Sequence, residues 1–288
     1  MTPKKTILIT GCSSGFGLHT ATILSKTHHV IATMRNLQKQ TLLLEAVKKA
    51  GGTVTLYECD VTKQDTITTL TKKIKETVGH IDILINNAGV CISGFFEDLT
   101  NEDIRNVMDP NFFGVLNMTR ACMSLLKQSK NNPKIINISS VSGQSAKPLI
   151  SAYNASKWAL EGFSESLYYE CAPFGIKVVL VEPGVFKTEI FDHNLRLATH
   201  HNNPKSPYVS LYQPILKLFE KRIRSRMGHP QKVCDLIAKI INKKSPKLRY
   251  VIGTDAKLTL FLRRWIPFEG YYKLVNYFFC KIVKKHQV

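Results

Sequence analysis

The sequence predicts an α/β protein in which helices cover both faces of one parallel, doubly wound sheet. Short apolar segments rich in β-branched residues alternate with longer amphipathic segments along most of the chain. Strands that alternate with helices in this way favour a parallel sheet. A glycine-rich turn lies directly between the first predicted strand and the first predicted helix. With 288 residues, no internal repeat and no low-complexity linker, the chain suits a single domain with a sizeable core.

Seven strands and five helices are predicted within this fold. The strands are the apolar runs at residues 6–10, 29–34, 53–58, 81–86, 134–139, 177–182 and 248–252. The helices are the longer runs at residues 18–25, 37–50, 63–78, 101–127 and 152–174. Pro110 falls inside the fourth helix. Because proline has no backbone N–H to donate, we expect a kink there.

The glycine turn, Gly11-Cys-Ser-Ser-Gly-Phe-Gly17, indicates a dinucleotide site. Gly11 permits a tight turn, and Gly15 and Gly17 let the backbone and the helix approach a pyrophosphate closely. The following helix offers free N–H groups and the positive end of its dipole. A flexible loop would also be rich in glycine, but the position between strand and helix favours the nucleotide site.

The end of the second strand favours NADP(H) over NAD(H). Many NAD sites carry an acidic residue there, which binds the ribose 2′-hydroxyl. This chain has Thr33 and Met34 in that place, followed by Arg35. An arginine can pair with a 2′-phosphate through charge-assisted hydrogen bonds. The alternative is that Arg35 is an ordinary surface residue in a basic chain.

Tyr153 and Lys157 form a candidate acid/base pair. They are four residues apart in a predicted helix, so their side chains project from the same face. An ammonium beside a phenol favours phenolate, and we therefore expect the pKa of Tyr153 to lie below its usual value of about 10. Such a tyrosine can act as a general acid or base near neutral pH. Ser140 lies thirteen residues before Tyr153 and completes this constellation.

Taken in this order, the motifs resemble the short-chain dehydrogenase/reductase family, and within it the hydroxysteroid and retinol dehydrogenases. The resemblance covers roughly residues 5–190 and includes further motifs that follow the predicted strands. These are Asp60-Val61, Asn86-Asn-Ala-Gly89, Asn111 and Pro183-Gly184. It implies a Rossmann-type fold and the transfer of a hydride between a nicotinamide cofactor and an alcohol or ketone.

The resemblance also implies roles for individual residues in the cofactor site. Asp60 is implied to contact the adenine amino group, and Lys157 to hold the ribose hydroxyls next to nicotinamide. With Arg35 added, the cofactor-binding residues are Gly11, Ser14, Gly15, Phe16, Gly17, Asp60, Val61, Asn87, Ala88, Gly89, Tyr153, Lys157, Pro183, Gly184, Val185 and Thr188.

Four residues are implied to be catalytic: Asn111, Ser140, Tyr153 and Lys157. Tyr153 would exchange a proton with the substrate oxygen, and Ser140 would donate a hydrogen bond to it. Asn111 is implied to hold a water that links Lys157 to solvent. The residue before it, Pro110, departs from the aliphatic residue that the family has more often.

The part of the chain after the sixth strand predicts an apolar substrate site. We place the catalytic domain at residues 1–255, with a substrate lid at about residues 186–228. Leucine, isoleucine, phenylalanine and tyrosine are frequent in the lid, which favours a hydrophobic alcohol or ketone such as a steroid, retinoid or lipid. The same residues would also serve as the core of the lid itself.

Residues 256–288 form a basic, amphipathic extension, which we expect to be helical. The formal charge of +19 is concentrated downstream, but no nucleic-acid-binding motif accompanies it, and we expect no nucleic-acid partner. The extension has too few uninterrupted apolar residues to span a bilayer. Peripheral contact with an anionic membrane is one interpretation, and packing on the pocket or on a second subunit is the other.

The remaining patterns favour a cytoplasmic homo-oligomer without a bound metal. The seven cysteines show neither zinc-ligand spacing nor a disulfide framework, which indicates a reducing compartment. The sequence begins Met-Thr-Pro-Lys-Lys just before the first strand, so we expect no cleavable signal peptide. In the family, the long helices corresponding to residues 101–127 and 152–174 often pair subunits.

Two other functions are compatible with parts of the pattern. An epimerase or dehydratase on the same fold also uses a tyrosine and a lysine four residues apart, but usually has a longer substrate domain. A non-catalytic protein that senses dinucleotides or acts as a scaffold at a membrane would tend to lose Ser140, Tyr153 and Lys157, which are all present here.

Overall fold

The computed structural model of the chain describes residues 3–191, 195–224 and 227–284. Its main feature is a seven-stranded parallel sheet in the order β3-β2-β1-β4-β6-β7-β9. The strands are β1 (Thr6–Ile9), β2 (His29–Met34), β3 (Val54–Glu58), β4 (Ile83–Asn86), β6 (Lys134–Ile138), β7 (Lys177–Pro183) and β9 (Arg249–Ile252). All seven predicted strands are confirmed, with small shifts at their ends.

Two short strands were not predicted. They are β5 (Cys91–Ser93) and β8 (Leu195–Leu197), which pair in parallel as a separate sheet beside the substrate end. Three residues are too few to show a periodic pattern, so their pairing depends on tertiary contacts. β8 lies inside the region expected to form the lid.

Ten α-helices surround the sheets in the described part of the chain. They are α1 (Gly15–Leu24), α2 (Thr41–Lys49), α3 (Gln64–Thr77), α4 (Asn101–Met108), α5 (Gly114–Lys127), α6 (Ser151–Cys171), α7 (Val209–Arg224), α8 (Gln231–Asn242), α9 (Thr254–Trp265) and α10 (Phe268–Lys284). The predicted start of the helix at residue 37 is wrong. A 3₁₀ turn occupies Leu37–Lys39, because the Asn36 side chain accepts a hydrogen bond from the Gln38 N–H at 2.8 Å.

The long helix predicted at residues 101–127 is interrupted where Pro110 indicated a kink. A π-helical turn spans Asp109–Phe113 and separates α4 from α5. Proline cannot donate to the preceding turn, and a wider turn accommodates that lost bond. α4 itself begins with a capping box, in which Thr100 and Asp103 each accept the other's backbone N–H at 3.0 Å.

The sheet carries a hydrophobic core on each face, which confirms the doubly wound α/β fold. Along β1, Ile7 and Ile9 belong to the core that also contains residues of α1, α2 and α8. Leu8, between them, points to the opposite core, with residues of α3 and α5. All three side chains are fully buried. A strand covered on both faces is continuously apolar, as the sequence of β1 is.

The predicted helical extension consists mainly of α9 and α10. The inner face of α10 packs on the lid helix α7, in a cluster that includes Leu149, Leu211, Ile215, Ile282 and Val283. No helix within residues 3–191, 195–224 and 227–284 is both long and apolar enough to cross a membrane. Residues 285–288 of the extension, and residues 192–194 and 225–226 of the lid, lie outside the described residues. The division of the chain at residue 255 stays a prediction.

Candidate active site

A cavity of about 570 Å³ opens at the carboxyl ends of the strands. The chain leaves β1 in one direction to β2 and β3, and the later strands extend the sheet from β4 in the other direction. Parallel α/β sheets bind their ligands at such a switch point. Every predicted site residue contributes to the lining of this cavity except Gly17, Asn111 and Val185. The structure therefore brings almost the whole predicted set together.

The glycine turn forms the floor of the cavity. Gly11 and Gly15 have φ angles of +72° and +54°, in the left-handed region that favours glycine. The Asn87 amide donates to the carbonyl oxygens of Thr10 at 2.8 Å and Gly11 at 3.0 Å. A Cβ atom on Gly17 would collide with the Gly11 carbonyl and with this amide. Gly17 is thus needed for the shape of the turn although it does not line the cavity.

The outer end of the cavity has two basic side chains and no acid at the end of β2. Arg35 is exposed and lines the cavity, as predicted. Lys39, one turn further along the chain, also lines the cavity. The sequence analysis missed it, because no sequence pattern indicated a 3₁₀ turn that directs this side chain towards the cavity. Thr33 is fully buried and donates to the Ile9 carbonyl, so it does not face a nucleotide.

The next wall is made by Asp60 and Val61, which follow β3. One carboxylate oxygen of Asp60 accepts hydrogen bonds from the backbone and side chain of Thr62, at 3.0 and 2.7 Å. Val61 is buried against Gly114 of α5, where a Cβ atom would clash with the valine side chain. These contacts hold the loop in place, and both residues line the cavity as predicted.

Ser140, Tyr153 and Lys157 meet at the inner end of the cavity. Ser140 follows β6 and caps a 3₁₀ turn, since its Oγ accepts from the Ser142 N–H at 3.1 Å. Tyr153 and Lys157 lie on the first two turns of α6 and are buried. The Lys157 Nζ donates to the Ile138 carbonyl at 2.8 Å and lies 5.6 Å from the centroid of the Tyr153 ring.

The predicted lowering of the Tyr153 pKa is wrong for this structure. Burial raises the pKa of Tyr153 well above its usual value, and the neighbouring Cys91 raises it further, while a hydrogen bond with Ser140 lowers it. Burial also lowers the pKa of Lys157 to about 8, against the opposing effects of Glu161 and Cys91. The ammonium is directed to the Ile138 carbonyl, so burial outweighs its attraction for a phenolate. The raised pKa favours the protonated phenol, the form that can donate a proton.

Asn111 is fully buried in the π-helical turn and does not line the cavity. Its amide oxygen accepts from the Val90 N–H at 2.8 Å, and its amide nitrogen donates to the Val90 carbonyl at 2.9 Å and to Ser156 Oγ at 3.0 Å. These bonds tie the loop after β4 to helix α6, which carries Tyr153. The implied role of Asn111 in holding a water stays a prediction.

Asp255 supports the wall formed by residues 183–185, and sequence reasoning missed it. Its carboxylate accepts a hydrogen bond from the Val185 N–H at 2.9 Å. It also packs so closely on Gly184 that no Cβ atom would fit there. The available signal in the sequence was Asp255 itself, an acidic residue soon after Gly253, where it suits the first turn of a helix. Through Asp255, the start of α9 braces the cavity.

The end of the cavity nearest the lid combines apolar side chains with polar ones such as Thr188 and Glu189. Val90 and Ile190 line it, and both pack in a cluster with Cys91 and Tyr153. Phe186 is buried at the start of the lid and contacts the ring of Phe16 edge-on at 5.9 Å between centroids. Arg196, in β8, is the basic residue at this end. Other apolar lid residues, such as Leu211 and Ile215, form the core between α7 and α10.

Comparisons with known proteins agree with this geometry. A family described as short chain dehydrogenase matches residues 5–196. The uncharacterized oxidoreductase YusZ of Bacillus subtilis is 38% identical, over 95% of this chain and 98% of its own. The 3-ketodihydrosphingosine reductase of Bacteroides thetaiotaomicron is 37% identical, over 91% of this chain and 93% of its own. Retinol dehydrogenase 8 of Bos taurus is 34% identical, over 93% of this chain and 88% of its own.

Solved structures show the same fold. A short-chain dehydrogenase from Streptomyces avermitilis superposes with a TM-score of 0.75 at 30% identity, over 91% of this chain and 97% of its own. A Burkholderia phymatum short-chain dehydrogenase/reductase in complex with NAD gives a TM-score of 0.79 at 23% identity, over 91% of this chain and 94% of its own. The chain belongs to the short-chain dehydrogenase/reductase family of oxidoreductases and is similar to retinol dehydrogenases within it.

Proposed function

We propose that the protein uses NADP(H) to interconvert a hydrophobic alcohol and the corresponding ketone, with Tyr153 as general acid and base. The observation that carries this proposal is the meeting of Ser140, Tyr153 and Lys157 in the same cavity as the glycine turn. A non-catalytic sensor has no need of that arrangement. An epimerase or dehydratase would share it, and the test below separates these functions by their products.

The residues present fit a nicotinamide dinucleotide. The N–H groups at the start of α1 would hold the diphosphate, and Arg35 and Lys39 would hold a 2′-phosphate. Lys157 would hold the ribose next to nicotinamide. The cofactor, when bound, supplies or accepts the hydride.

The protein itself handles the proton and the developing charge on oxygen. The Ser140 hydroxyl lines the cavity beside the Tyr153 phenol, with which it forms a hydrogen bond, and it would donate to a substrate oxygen that enters there. In reduction, Tyr153 gives its proton to the oxygen as negative charge develops there, and in oxidation it accepts that proton back. The apolar wall of Val90 and Ile190 favours a substrate whose body is hydrocarbon. Two relatives are named for sphingoid and retinoid substrates, which have this character.

The test is a screen of ketones and aldehydes with NADPH and, in parallel, NADH. We expect the purified protein to oxidise NADPH with long-chain, retinoid or polycyclic carbonyl compounds and to form the alcohol. Product analysis is required, because an epimerised or dehydrated product would instead favour the alternative reactions. Absence of turnover with all compounds and both cofactors would contradict the proposal.

The cofactor preference is tested in the same assay with Arg35→Ala. We expect this variant to lose about tenfold in kcat/KM for NADPH and little for NADH, since one charged hydrogen-bond partner of the phosphate is removed. Arg120→Ala is the matched control, because Arg120 is an exposed arginine of α5 that does not line the cavity. Equal use of both cofactors by the wild type would remove the proposed role of Arg35.

We also propose that the protein forms a homo-oligomer through α5 and α6. Tyr168 and Tyr169 of α6 and Phe113 before α5 are exposed aromatic residues on the helices that pair subunits in the family. Exposed aromatic groups are enriched at protein interfaces.

We further propose a location for the protein: the extension attaches it to the surface of an anionic membrane. The outer faces of α9 and α10 expose large apolar side chains, flanked by basic ones. The apolar residues include Leu258, Phe261, Trp265, Phe268, Tyr277 and Phe278. The basic residues include Lys257, Arg263, Arg264, Lys273, Lys281 and Lys284. The opposite face of α10 packs on the lid helix α7. In this proposal the extension therefore packs on the protein through one face and contacts the membrane through the other.

Vesicle flotation tests this attachment. We expect the wild type to float with vesicles that contain phosphatidylserine, and less so at high salt. The double variant Trp265→Ser/Phe268→Ser should float much less, because it removes side chains that are 69% and 64% exposed. The double variant Leu42→Ser/Phe96→Ser is the control, since these side chains are 65% and 69% exposed elsewhere. Equal flotation of both variants would contradict the proposal.

A further inference from the structure

A buried cluster of charged residues lies directly behind Lys157. It consists of Glu161 and Glu165 on α6, Glu182 on β7 and Arg249 on β9. The Arg249 guanidinium lies 3.0 Å from Glu161 Oε2, 2.6 Å from Glu165 Oε1 and 3.1 Å from Glu182 Oε1. One arginine therefore contacts three carboxyl groups.

The three carboxyl groups differ in burial. The Glu182 side chain is 0% exposed and that of Glu161 6%, whereas Glu165 is 51% exposed and screened by solvent. Two buried carboxylates that share one arginine repel each other, and this repulsion is costly in a medium of low polarity. When two carboxyl groups share a site in this way, one of them keeps its proton.

The contacts with Arg249 favour Glu182 as the member that keeps it. Glu161 Oε2 lies 3.0 Å from Arg249 Nη2 and accepts a hydrogen bond from Arg249 Nε at 3.1 Å, whereas Glu182 Oε1 contacts Nε alone, at 3.1 Å. Within the described ranges, neither Glu182 Oε1 nor Glu161 Oε1 has a hydrogen-bond partner. The other oxygen of Glu182 accepts from the Gln144 amide. Burial, and then the charge of Glu161, raise the pKa of Glu182 to about 8.

The cluster is connected to the active site at both ends. Glu161 is one turn after Lys157 on the same face of α6 and is the charge that most favours its ammonium form. Gly143, three residues after Ser140, packs so closely on α6 that a Cβ atom would clash with Glu161 and approach the Lys157 carbonyl. Glu182 immediately precedes Pro183 of the cavity wall.

A second cavity, of about 750 Å³, reaches this cluster and shares no lining residue with the first. It is lined by Gly143, Gln144, Trp158, Glu161, Gly162, Glu165, Arg249, Leu260, Arg263 and Arg264. The charged groups around Glu161 and Glu182 are Lys157 and Glu165 from α6, Arg249 from β9, and Arg263 and Arg264 from α9. Protons can reach Glu161 from solvent by this route without passing the cofactor site.

We propose that Glu161 and Glu182 form a proton-sharing carboxyl pair that sets the charge of Lys157 and exchanges its proton with solvent through the second cavity. The pair holds one proton at neutral pH, on Glu182, and its single negative charge, on Glu161, stabilises the Lys157 ammonium. Both glutamates are positioning residues, since they act through Lys157. This inference deepens the proposed function and rests on it for its kinetic part.

The first test is independent of turnover. Infrared spectra of the protein alone, recorded through a pH titration, should show the carbonyl stretch of a protonated buried carboxylic acid at pH 7. The band should be absent in Glu182→Gln and present in Glu165→Gln, the control on the same arginine. Absence of the band in the wild type, or its persistence in Glu182→Gln, would overturn the proposal. This result stands even if no carbonyl substrate is found.

The second test is the pH dependence of kcat/KM. Glu161→Gln should move the limb that reports Lys157 to lower pH by about one unit, because a favourable negative charge is lost. Glu182→Gln should move the limb far less, because glutamine replaces a carboxyl group that is uncharged over most of the range below pH 8. Glu165→Gln should leave the limb in place. A shift in Glu182→Gln as large as that in Glu161→Gln would overturn the proposal, since it would show that Glu182 carries a charge. If Glu182→Gln does not fold, Glu161→Gln and the wild-type spectrum still decide.

Discussion

Tyr153→Phe is expected to lower kcat/KM by about a thousandfold, because it removes the hydroxyl that exchanges a proton with the substrate oxygen. That factor corresponds to about 4 kcal/mol of transition-state stabilisation. The phenylalanine ring fills the same buried site beside Cys91, so we expect the fold and NADPH binding to persist. The measurements are steady-state kinetics with the best ketone and a fluorescence titration of NADPH.

Tyr168→Phe is the matched control for this experiment. Tyr168 lies on the same helix, α6, but is exposed and does not line the cavity. We expect wild-type kinetics from it. Retention of turnover by Tyr153→Phe would exclude the phenol as the proton donor. Loss of NADPH binding together with turnover would instead give Tyr153 a mainly structural role in the cofactor site.

Gly17→Ala is expected to abolish measurable NADPH binding or weaken it by more than about tenfold, and to lower stability by about 1–3 kcal/mol. The new Cβ atom collides with the Gly11 carbonyl and the Asn87 amide, which together fix the turn that faces the diphosphate. Neither neighbour can move freely, because one is backbone and the other bonds two carbonyl groups. Thermal unfolding and NADPH titration measure the two effects.

Gly162→Ala provides the contrast. A Cβ atom at Gly162 meets nothing within 4 Å, and the residue lies inside α6. We expect it to gain about 0.5–1 kcal/mol, since alanine is the better helix former. If Gly17→Ala bound NADPH as the wild type does, close packing would not be what shapes the diphosphate turn.

Local sequence patterns predicted the sheet, and the family resemblance implied most of the residues that line the cavity. The five inner strands of the main sheet are largely apolar and buried, and burial of that kind is visible in the sequence, whereas the edge strands β3 and β9 are only partly buried. The glycine turn and the tyrosine–lysine spacing encode backbone geometry within a few residues. The sequence also predicted a kink at Pro110, because proline has no backbone N–H to donate, but it did not predict that the kink would be a π-helical turn.

Contacts between distant residues could not be predicted in this way. The sequence alone determined the α/β fold and the nucleotide turn, because these depend on local periodicity and spacing. The order of its motifs, which resembles a known family, implied the residues that meet at the inner end of the cavity. Only the tertiary structure decided that Lys157 bonds Ile138, that the Asn111 amide holds Val90, and that Arg249 contacts three carboxyl groups. Burial and pairing of charges arise from segments far apart in the chain, and they, rather than neighbours in sequence, raise the pKa of Tyr153 and of Glu182.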